Sequence, residues 1–208
     1  MRTLLLFSVL VLLALCGCQK RPNSTIANLQ IALVDETTAS VKYTAYATKA
    51  REEGFVPIAK LFDALSRSEN VHAERDKEFL DEMDIYMEKV TTVCDTNTTL
   101  KNLDSALKME NNDVDNLYIK FITTALTEKR VDVAESMNWA YSTEKKHQLF
   151  LKDAIRMLKT QPDSLALLPS GYIVCPICGN TYDARDKMTL CANCSTSRDL
   201  FIELLPEQ

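Results

Sequence analysis

Two short stretches decide the fold of this chain: Glu69-Asn-Val-His72 and, in the second half of the chain, Glu144-Lys-Lys-His147. A Glu and a His three residues apart lie on one face of a helix, one turn from each other, and offer a carboxylate beside an imidazole. Single pairs of this kind occur by chance on solvated helix faces. These two pairs, however, contain both histidines of the chain, which favours a shared metal site.

Acidic residues precede the two pairs at nearly the same distance, which indicates an internal repeat. The interval from Glu36 to Glu69 is only one residue shorter than the interval from Glu110 to Glu144. Gly54 suits the turn between Glu36 and Glu69 and lies close to the midpoint between them. At about 1.5 Å per helical residue, Glu36 and Glu69 therefore reach nearly the same level on neighbouring antiparallel helices. The second half repeats this arrangement.

Apolar residues recur at helical spacing from Ile26 to about Gln161, and the whole chain contains only four glycines. Glycine is disfavoured inside helices by roughly 1 kcal/mol relative to Ala, so its scarcity fits a helical protein. The pattern predicts four helices with a crossover in the long stretch between the second and third. Their predicted limits are Ile26 to Gly54, Pro57 to about Val90, Leu100 to Thr127, and a fourth helix from after Arg130 to before Pro162.

Two antiparallel helix pairs, each bringing a Glu beside Glu-x-x-His, form the ligand set of ferritin-like carboxylate-bridged di-metal bundles. The alternative is an ordinary four-helix bundle whose acidic residues are surface charges. Four carboxylates brought together without metal would repel one another strongly in a low-dielectric core. Oxygen-rich sites with one imidazole per metal suit iron or manganese.

A separate cysteine module follows the predicted bundle. Cys175-Pro-Ile-Cys178 and Cys191-Ala-Asn-Cys194 are two C-x-x-C pairs with twelve residues between them, which is typical of a tetrathiolate metal site. The spacing alone admits zinc or a single iron, and a compartment outside the cytoplasm would add disulfides as a third alternative. Twelve residues fall below the usual zinc-ribbon spacing, which favours iron. Cys94 is assigned no role.

The N-terminus resembles the export signal of a bacterial lipoprotein. Arg2 precedes an apolar run from Leu4 to Leu15, which is shorter than the roughly 20 residues of a membrane-spanning helix. The run ends in Leu15-Cys16-Gly17-Cys18, where a small residue precedes a cysteine, as in a lipobox. We therefore expect a signal peptide at 1–17, lipidation of Cys18, a tether at 18–25, and a location in the cell envelope, outside the cytoplasmic membrane on its periplasmic side. The alternatives are an ordinary cleaved signal or an uncleaved anchor.

The formal net charge of −5 excludes no fold, but it narrows the partners. Nucleic acids and anionic membrane surfaces attract basic patches, so we expect neither as a partner, apart from the membrane contact of the N-terminal lipid.

Both parts of the chain together resemble the rubrerythrin family, in which a ferritin-like di-iron domain precedes a rubredoxin-like module. The resemblance implies these units at 26–165 and 170–208. The second half departs from the family, since it lacks the Glu-Gly turn and the Met-Tyr-Pro run around Tyr118. The residues that carry the resemblance are Asp35-Glu36-Thr37, Tyr43, Ala50-Arg-Glu-Glu-Gly54, Glu69-Asn-Val-His72-Ala73, Glu110, Asp113, Tyr118, Glu144-Lys-Lys-His147, Val174-Cys-Pro-Ile-Cys-Gly179, Cys191, Cys194 and Phe201-Ile-Glu-Leu-Leu205.

The resemblance implies a peroxidase that reduces hydrogen peroxide to water at two iron ions. A third iron, held by the four cysteines, would relay electrons from a donor that the sequence does not identify, often across a subunit boundary in a homodimer. In this reading Glu69 and Glu144 bridge the two irons, Glu36 and Glu110 are terminal ligands, and His147 binds the second iron.

The first iron of the family exchanges a Glu ligand for a His ligand on reduction. His72 matches that His, whereas Asp113 occupies the Glu position and is one methylene shorter. We therefore expect the first iron to prefer His72 in both redox states. Tyr43 and Tyr118 match tyrosines near the family's site, and their alternative role is amphipathic packing.

Two other functions remain compatible with the sequence. A ferroxidase or iron-handling protein would need the di-iron site but not the cysteine module. A non-catalytic lipoprotein with a metal-stabilised bundle and a zinc-ribbon tail would act as an interaction module. The cysteine module favours the peroxidase, because an electron relay beside a redox centre has an evident purpose.

Overall fold

The computed structural model describes residues 21–205, so the predicted signal peptide and Cys18 lie outside the described residues. It confirms the predicted fold class, a mainly α ferritin-like bundle followed by a small cysteine module. No helix in the described range is both long and apolar enough to cross a membrane. The helices are α1 (Asn23–Glu52), α2 (Val56–Glu82), α3 (Thr99–Asn112), α4 (Tyr118–Thr127) and α5 (Val131–Thr160).

The turn between α1 and α2 forms as the sequence predicts. Gly54 has a φ of +82°, in the left-handed region that glycine adopts without strain, and it ends α1. Pro57 lies in the first turn of α2, where a missing backbone N–H costs nothing. The result is a long antiparallel hairpin that brings Glu36 and Glu69 side by side.

Helix α1 begins at Asn23, three residues before the predicted start, so the last part of the predicted tether is helical. A distant carboxylate explains the difference. Glu128 accepts hydrogen bonds from the backbone N–H groups of Ser24 (3.2 Å) and Thr25 (2.8 Å). These are first-turn donors that have no partner inside the helix, and their satisfaction extends it.

The second and third helices also differ from the predicted limits. Helix α2 ends at Glu82, and residues 83–98 form an extended crossover with no helix or strand. The predicted third helix is interrupted by a π-helical segment, Asp113–Leu117, which joins α3 to α4. π-Helical turns carry one extra residue per turn and commonly occur at functional sites.

Two apolar clusters fill the bundle and leave a polar layer between them. One cluster surrounds Tyr43, Phe62 and Leu103, and the other surrounds Leu80 and Met137. All five side chains are nearly inaccessible to solvent. The predicted acidic and histidine residues lie at the level between these clusters.

The cysteine module is built on a three-stranded antiparallel sheet of order β2-β1-β3, and it packs against the bundle of its own chain. Its strands are β1 (Tyr172–Val174), β2 (Thr181–Asp183) and β3 (Ile202–Leu204). Tyr172 and Val174 are buried in the first apolar cluster of the bundle. The aromatic edge of Tyr172 meets Phe150 of α5 with ring centroids 5.4 Å apart.

Candidate metal centres

Six buried side chains converge in the polar layer, and they form two overlapping groups. In each group one potential ligand atom per residue lies within 4.8 Å of every other. Two carboxylates belong to both groups, as expected for bridging ligands. The groups are Glu36, Glu69, His72 and Glu144, and Glu69, Glu110, Glu144 and His147.

The two shared carboxylates divide their oxygens evenly between the two histidines. Glu69 places Oε2 3.0 Å from Nδ1 of His72 and Oε1 3.2 Å from Nδ1 of His147. Glu144 places Oε1 3.0 Å from Nδ1 of His72 and Oε2 2.8 Å from Nδ1 of His147. Each shared Glu therefore presents one oxygen to each half of the site, which is the geometry of a bridging carboxylate.

The polar atoms of this layer fit a pair of cations. Both carboxylate oxygens of Glu69, one oxygen each of Glu110 and Glu144, and Nδ1 of His72 are buried without a hydrogen-bond partner among the described residues. Leaving so many buried polar atoms unpaired costs roughly 1–3 kcal/mol each. Divalent cations would pair with all of these atoms at once.

The pKa shifts of the carboxyl groups reflect the same frustration. Burial, reinforced by neighbouring carboxylates, raises the pKa of Glu36 to about 7 and that of Glu110 well above its usual range. Burial also disfavours the charge of Glu144, but the two histidines outweigh it and lower the pKa of Glu144. Protons thus take the place of metal charge in the metal-free chain.

The histidines respond in the opposite sense. Burial alone would lower the pKa of His72, yet the surrounding carboxylates, foremost Glu144, raise it well above its usual range. His147 behaves in the same way through Glu69 and Glu144. Both imidazoles face concentrated negative charge.

Asp113 is the one predicted ligand that the structure does not bring into either group. It is half-buried in the π-helical segment and lines a cavity of about 360 Å³ between α1 and α3, together with Asp35, Lys42 and Lys108. Burial, with the charge of Glu36 next in size, raises the pKa of Asp113 to about 9. Asp113 therefore stands beside the cluster without completing it.

The two predicted tyrosines contact the carboxylates of the opposite half of the repeat. Tyr43 of α1 donates a hydrogen bond of 2.5 Å to Oε1 of Glu110 on α3. Tyr118 of α4 donates to Oε1 of Glu36 on α1. These reciprocal hydrogen bonds fix the orientation of both carboxylates and tie the two helix pairs together.

The four cysteines form a second centre, with one Sγ of each residue within 4.8 Å of the others. The Sγ atoms of Cys175 and Cys194 are 3.5 Å apart, and those of Cys178 and Cys191 are 3.4 Å apart. Disulfide bonds measure about 2.05 Å, so all four thiols are free, as in a tetrathiolate metal site.

The first cysteine pair touches both histidines, a contact that the sequence alone did not predict. Nε2 of His72 lies 3.2 Å from the carbonyl oxygen of Cys178, which only accepts, so Nε2 is the donor. Nε2 of His147 lies 3.1 Å from Oγ1 of Thr181, whose own proton goes to the carbonyl of Gly179. With Nε2 protonated, each histidine is left with an Nδ1 lone pair directed at the carboxylates.

Ser68 and Gly179 complete this junction. Oγ of Ser68 donates a 2.7 Å hydrogen bond to the carbonyl of Gly179. A Cβ on Gly179 would lie 2.4 Å from Nε2 of His72, so only glycine permits the approach. In the sequence, Gly179 follows a C-x-x-C pair and signals only a turn; its role against the bundle depends on the docked module.

Comparison with known proteins places these features in a family. The family model described as rubrerythrin matches residues 27–155. Nigerythrin of Nitratidesulfovibrio vulgaris is 31% identical over 179 residues, which covers 86% of this chain and 85% of the relative. Rubrerythrin-1 of Clostridium acetobutylicum is 31% identical over 183 residues, which covers 74% of this chain and 89% of the relative.

Solved structures give the same picture. A fully reduced, all-ferrous nigerythrin superposes with a TM-score of 0.77 at 27% identity and covers 86% of both chains. The bacterioferritin BfrA of M. tuberculosis, at 20% identity and a TM-score of 0.61 over 69% of this chain and 91% of that chain, shares the fold alone.

The family match spans the bundle, and the cofactor sites predicted from the sequence are confirmed: the residues of a di-iron carboxylate site and a rubredoxin-like site of four cysteines are both present. With two relatives above 30% identity and a shared arrangement of bundle and module, this chain belongs to the rubrerythrin family.

Proposed function

We propose that this protein is a non-haem di-iron peroxidase that reduces hydrogen peroxide to water. One observation carries the proposal: a buried di-metal site and a tetrathiolate site lie back to back, joined through both histidines. Membership of the rubrerythrin family supports an oxidoreductase of this type. A metal store would have no need of the second centre.

The oxygen geometry supports a specific assignment of ligands. Glu69 and Glu144 bridge the two irons, since each offers one oxygen to each half of the site. Glu36 would be the terminal carboxylate of the half that contains His72, and Glu110 that of the half that contains His147. Tyr43 and Tyr118 hold the terminal carboxylates in place.

The reaction consumes one hydrogen peroxide, two electrons and two protons, and it yields two waters. Iron bound at the site supplies the two electrons that cleave the O–O bond. The chain's own contribution is positioning: the hydroxyl of Tyr118 holds Glu36, and that of Tyr43 holds Glu110. The docked module and the two apolar clusters keep bulk water away from the polar layer.

Electrons would return through iron at the four cysteines, delivered by a redox donor that remains to be identified. The carbonyl of Cys178 lies against His72 of the same chain, which gives a path of few bonds within a single subunit. The resemblance to the family implies a relay across a subunit boundary, and we propose a homodimer. A relay within one chain would serve each subunit independently.

We further propose that the first iron prefers His72 to Asp113 in both redox states. His72 offers Nδ1 to the centre of the site, whereas Asp113 belongs to neither group of converging ligands. The shorter side chain of Asp113 supports this preference.

The location in the cell envelope is also a proposal, and it rests on the lipobox-like sequence that ends at Cys18. Replacement of Cys18 by Ala should move the protein from the membrane fraction to the soluble fraction. Membrane association that survives this replacement would contradict lipid anchoring at Cys18.

The decisive experiment uses the soluble protein without its lipid anchor. Its iron and zinc contents are measured, it is reduced chemically under anaerobic conditions, and peroxide is added in stoichiometric amounts. We expect reoxidation of the cysteine-bound iron, followed by its thiolate-to-iron absorbance, with two electrons consumed per peroxide.

A matched control separates the two centres. His147→Ala with Glu144→Ala removes ligands of the di-iron site but leaves all four cysteines, so the absorbance should persist while its rapid return with peroxide is lost. Equal reoxidation rates in the control and the native protein would overturn the proposal. Faster reoxidation by dioxygen with ferrous iron than by peroxide would favour a ferroxidase, and zinc at the cysteines with no peroxide response would favour a non-catalytic module.

A further inference from the structure

Lys146 lies between two residues of the di-iron site in sequence, Glu144 and His147, but its side chain reaches the other metal centre. Its Nζ donates hydrogen bonds to Oδ1 of Asn180 (2.8 Å) and to the carbonyl oxygen of Thr181 (2.9 Å). Asn180 and Thr181 directly follow the first cysteine pair. Lys146 therefore contacts the module at the edge of the tetrathiolate site.

The ammonium group of Lys146 also lies 3.6 Å from the ring centroid of Tyr182. A cation over an aromatic face is attracted by the ring's quadrupole, more strongly where water is excluded. Tyr182 and Lys146 are buried and half-buried respectively. Two hydrogen bonds and a ring contact thus fix the position of one positive charge.

A short hydrogen-bond network connects this charge to a cysteine ligand. The hydroxyl of Tyr182 lies 3.6 Å from Sγ of Cys191 and accepts hydrogen bonds of 2.8 Å from Asn180 Nδ2 and from the backbone N–H of Ala192. Asn180 Nδ2 itself lies 3.8 Å from the same sulfur. Lys146 thus contacts Tyr182 and Asn180, and both of these contact the sulfur of Cys191.

No carboxylate forms an ion pair with Lys146 in residues 21–205. The negative charges that act on it are the more distant carboxylate of Asp186 and the thiolates of Cys191 and Cys178. The ammonium is therefore free to interact electrostatically with the tetrathiolate site.

We propose that Lys146 is a positioning residue for the four-cysteine centre, which it holds against the bundle and whose bound iron it makes easier to reduce. The inference rests on the proposed function only in taking the metal to be iron. Four thiolates with ferric iron carry one negative charge, and reduction by one electron adds a second. A fixed cation nearby stabilises the more negative state and so raises the reduction potential.

The charge and the hydrogen bonds of Lys146 are separated by two variants of the holoprotein. Lys146→Gln removes the charge and keeps an N–H donor, whereas Lys146→Arg keeps the charge. The reduction potential of the cysteine-bound iron is measured at pH 7 by titration of its thiolate-to-iron absorbance. For Lys146→Gln we expect about a tenfold smaller equilibrium constant for reduction, or about 59 mV lower for one electron. Lys146→Arg should retain most of the native potential.

A matched control tests whether the shift arises from charge or from loss of docking. Ser68→Ala removes another hydrogen bond across the same junction without a change of charge. Trp139, the single tryptophan of the chain, packs against the module's core, so its emission in the zinc-loaded protein reports docking independently of redox chemistry. We expect Ser68→Ala to leave the potential close to native and Lys146→Gln to leave the emission close to native.

An unchanged potential in Lys146→Gln would overturn the proposal, as would an equal shift in Ser68→Ala. The measurement involves no peroxide. A failure of the peroxidase proposal would appear as a reduced protein that peroxide does not reoxidise, with the potential difference between the variants still measurable.

Discussion

At the scale of single residues, the two histidines connect the metal centres because each uses its two ring nitrogens for different tasks. Nδ1 of His72 and of His147 faces the carboxylates, and Nε2 faces the first cysteine pair. The hydrogen bond at Nε2 selects the tautomer whose Nδ1 lone pair is available to a metal. Docking of the module therefore prepares the ligands of the other site.

Gly179→Ala tests this junction. The added Cβ would lie 2.4 Å from Nε2 of His72 and 3.0 Å from Oγ of Ser68, and φ at this position is +72°, so the module must shift away from the bundle. We expect a red-shifted emission from Trp139 and an unfolding free energy lower by about 2 kcal/mol. The tryptophan spectrum and thermal unfolding measure these effects.

Gly54→Ala is the control for Gly179→Ala, because it introduces the same backbone strain at φ +82° with no atom within 4 Å of the new Cβ. It should lower stability without altering the emission of Trp139. An unaltered emission in Gly179→Ala would contradict the close docking of the module.

The preference of the first iron for His72 is tested by two substitutions. Asp113→Asn should retain two irons at the carboxylate site, because Asp113 belongs to neither converging group. His72→Ala should lose about one iron per chain, because it removes a ligand atom at the centre of the site. Iron analysis of the purified variants decides the outcome. An oxidised crystal structure with Asp113 bound and His72 free would contradict the preference.

At the scale of elements, the π-helical segment explains a small irregularity in the repeat. The interval from Glu110 to Glu144 in the second half is one residue longer than the interval from Glu36 to Glu69 in the first. One extra residue is what a π-helical turn accommodates within an α-helix. The segment Asp113–Leu117 takes it up, so that Glu110 before it and Tyr118 after it both reach the site.

The two hairpin turns use different residues in the same backbone conformation. Gly54 has a φ of +82°, and Lys129, at the corresponding turn of the second half, has a φ of +62°. A left-handed conformation costs a residue with a Cβ roughly 1–2 kcal/mol. We expect Lys129→Gly to raise the unfolding free energy by about 0.5 kcal/mol, since part of the relieved strain is offset by a more flexible unfolded chain.

The reverse change at the first turn, Gly54→Ala, should lower the unfolding free energy by about 1 kcal/mol. Chemical denaturation of both variants measures the two values with opposite signs. A loss of stability in Lys129→Gly would show that the lysine side chain contributes more than its backbone strain costs.

At the scale of the whole molecule, a charged layer lies between two apolar clusters, and its cost depends on what neutralises it. Glu36 and Glu110 are buried at 6% and 2% exposure, and their raised pKa values show that the metal-free fold favours their protonated forms. The metal-free and metal-loaded proteins should therefore respond differently to pH.

The metal-free protein should lose stability as the pH rises from about 5 to 9. Unfolded glutamate releases its proton near pH 4.5, whereas Glu36 keeps its proton to about pH 7 and Asp113 to about pH 9 in the folded chain. The folded state thus binds more protons in this window, so stability falls with rising pH. The raised pKa values of His72 and His147 act in the same direction.

Below about pH 4.5 the sign reverses through Glu144, whose pKa is lowered in the folded chain and whose contribution is lost on protonation. Thermal unfolding of chelator-treated protein should therefore show a midpoint that falls by several degrees between pH 5 and 9. Protein loaded with ferrous iron under anaerobic conditions is the control and should show a flatter profile. Identical profiles would mean that metal does not compensate these charges.

The sequence by itself determined the features that depend on local pattern. Helical periodicity, the Gly54 turn and the two Glu-x-x-His pairs predict which residues share a helix face, and chain length per turn places Glu36 level with Glu69. The two C-x-x-C pairs predict a tetrathiolate site for the same reason, since each pair forms a local loop. These predictions needed no knowledge of distant contacts.

Only the tertiary structure decided how the two centres meet. The contact of Cys178 with His72, the network from Lys146 to Cys191 and the capping of α1 by Glu128 join residues that are far apart in sequence. The place of Asp113 outside the ligand groups also depends on the π-helical segment, whose extra residue rotates the side chains that follow. Such contacts leave no periodic trace in the sequence, because they arise when separate elements pack, and packing is decided by the whole chain.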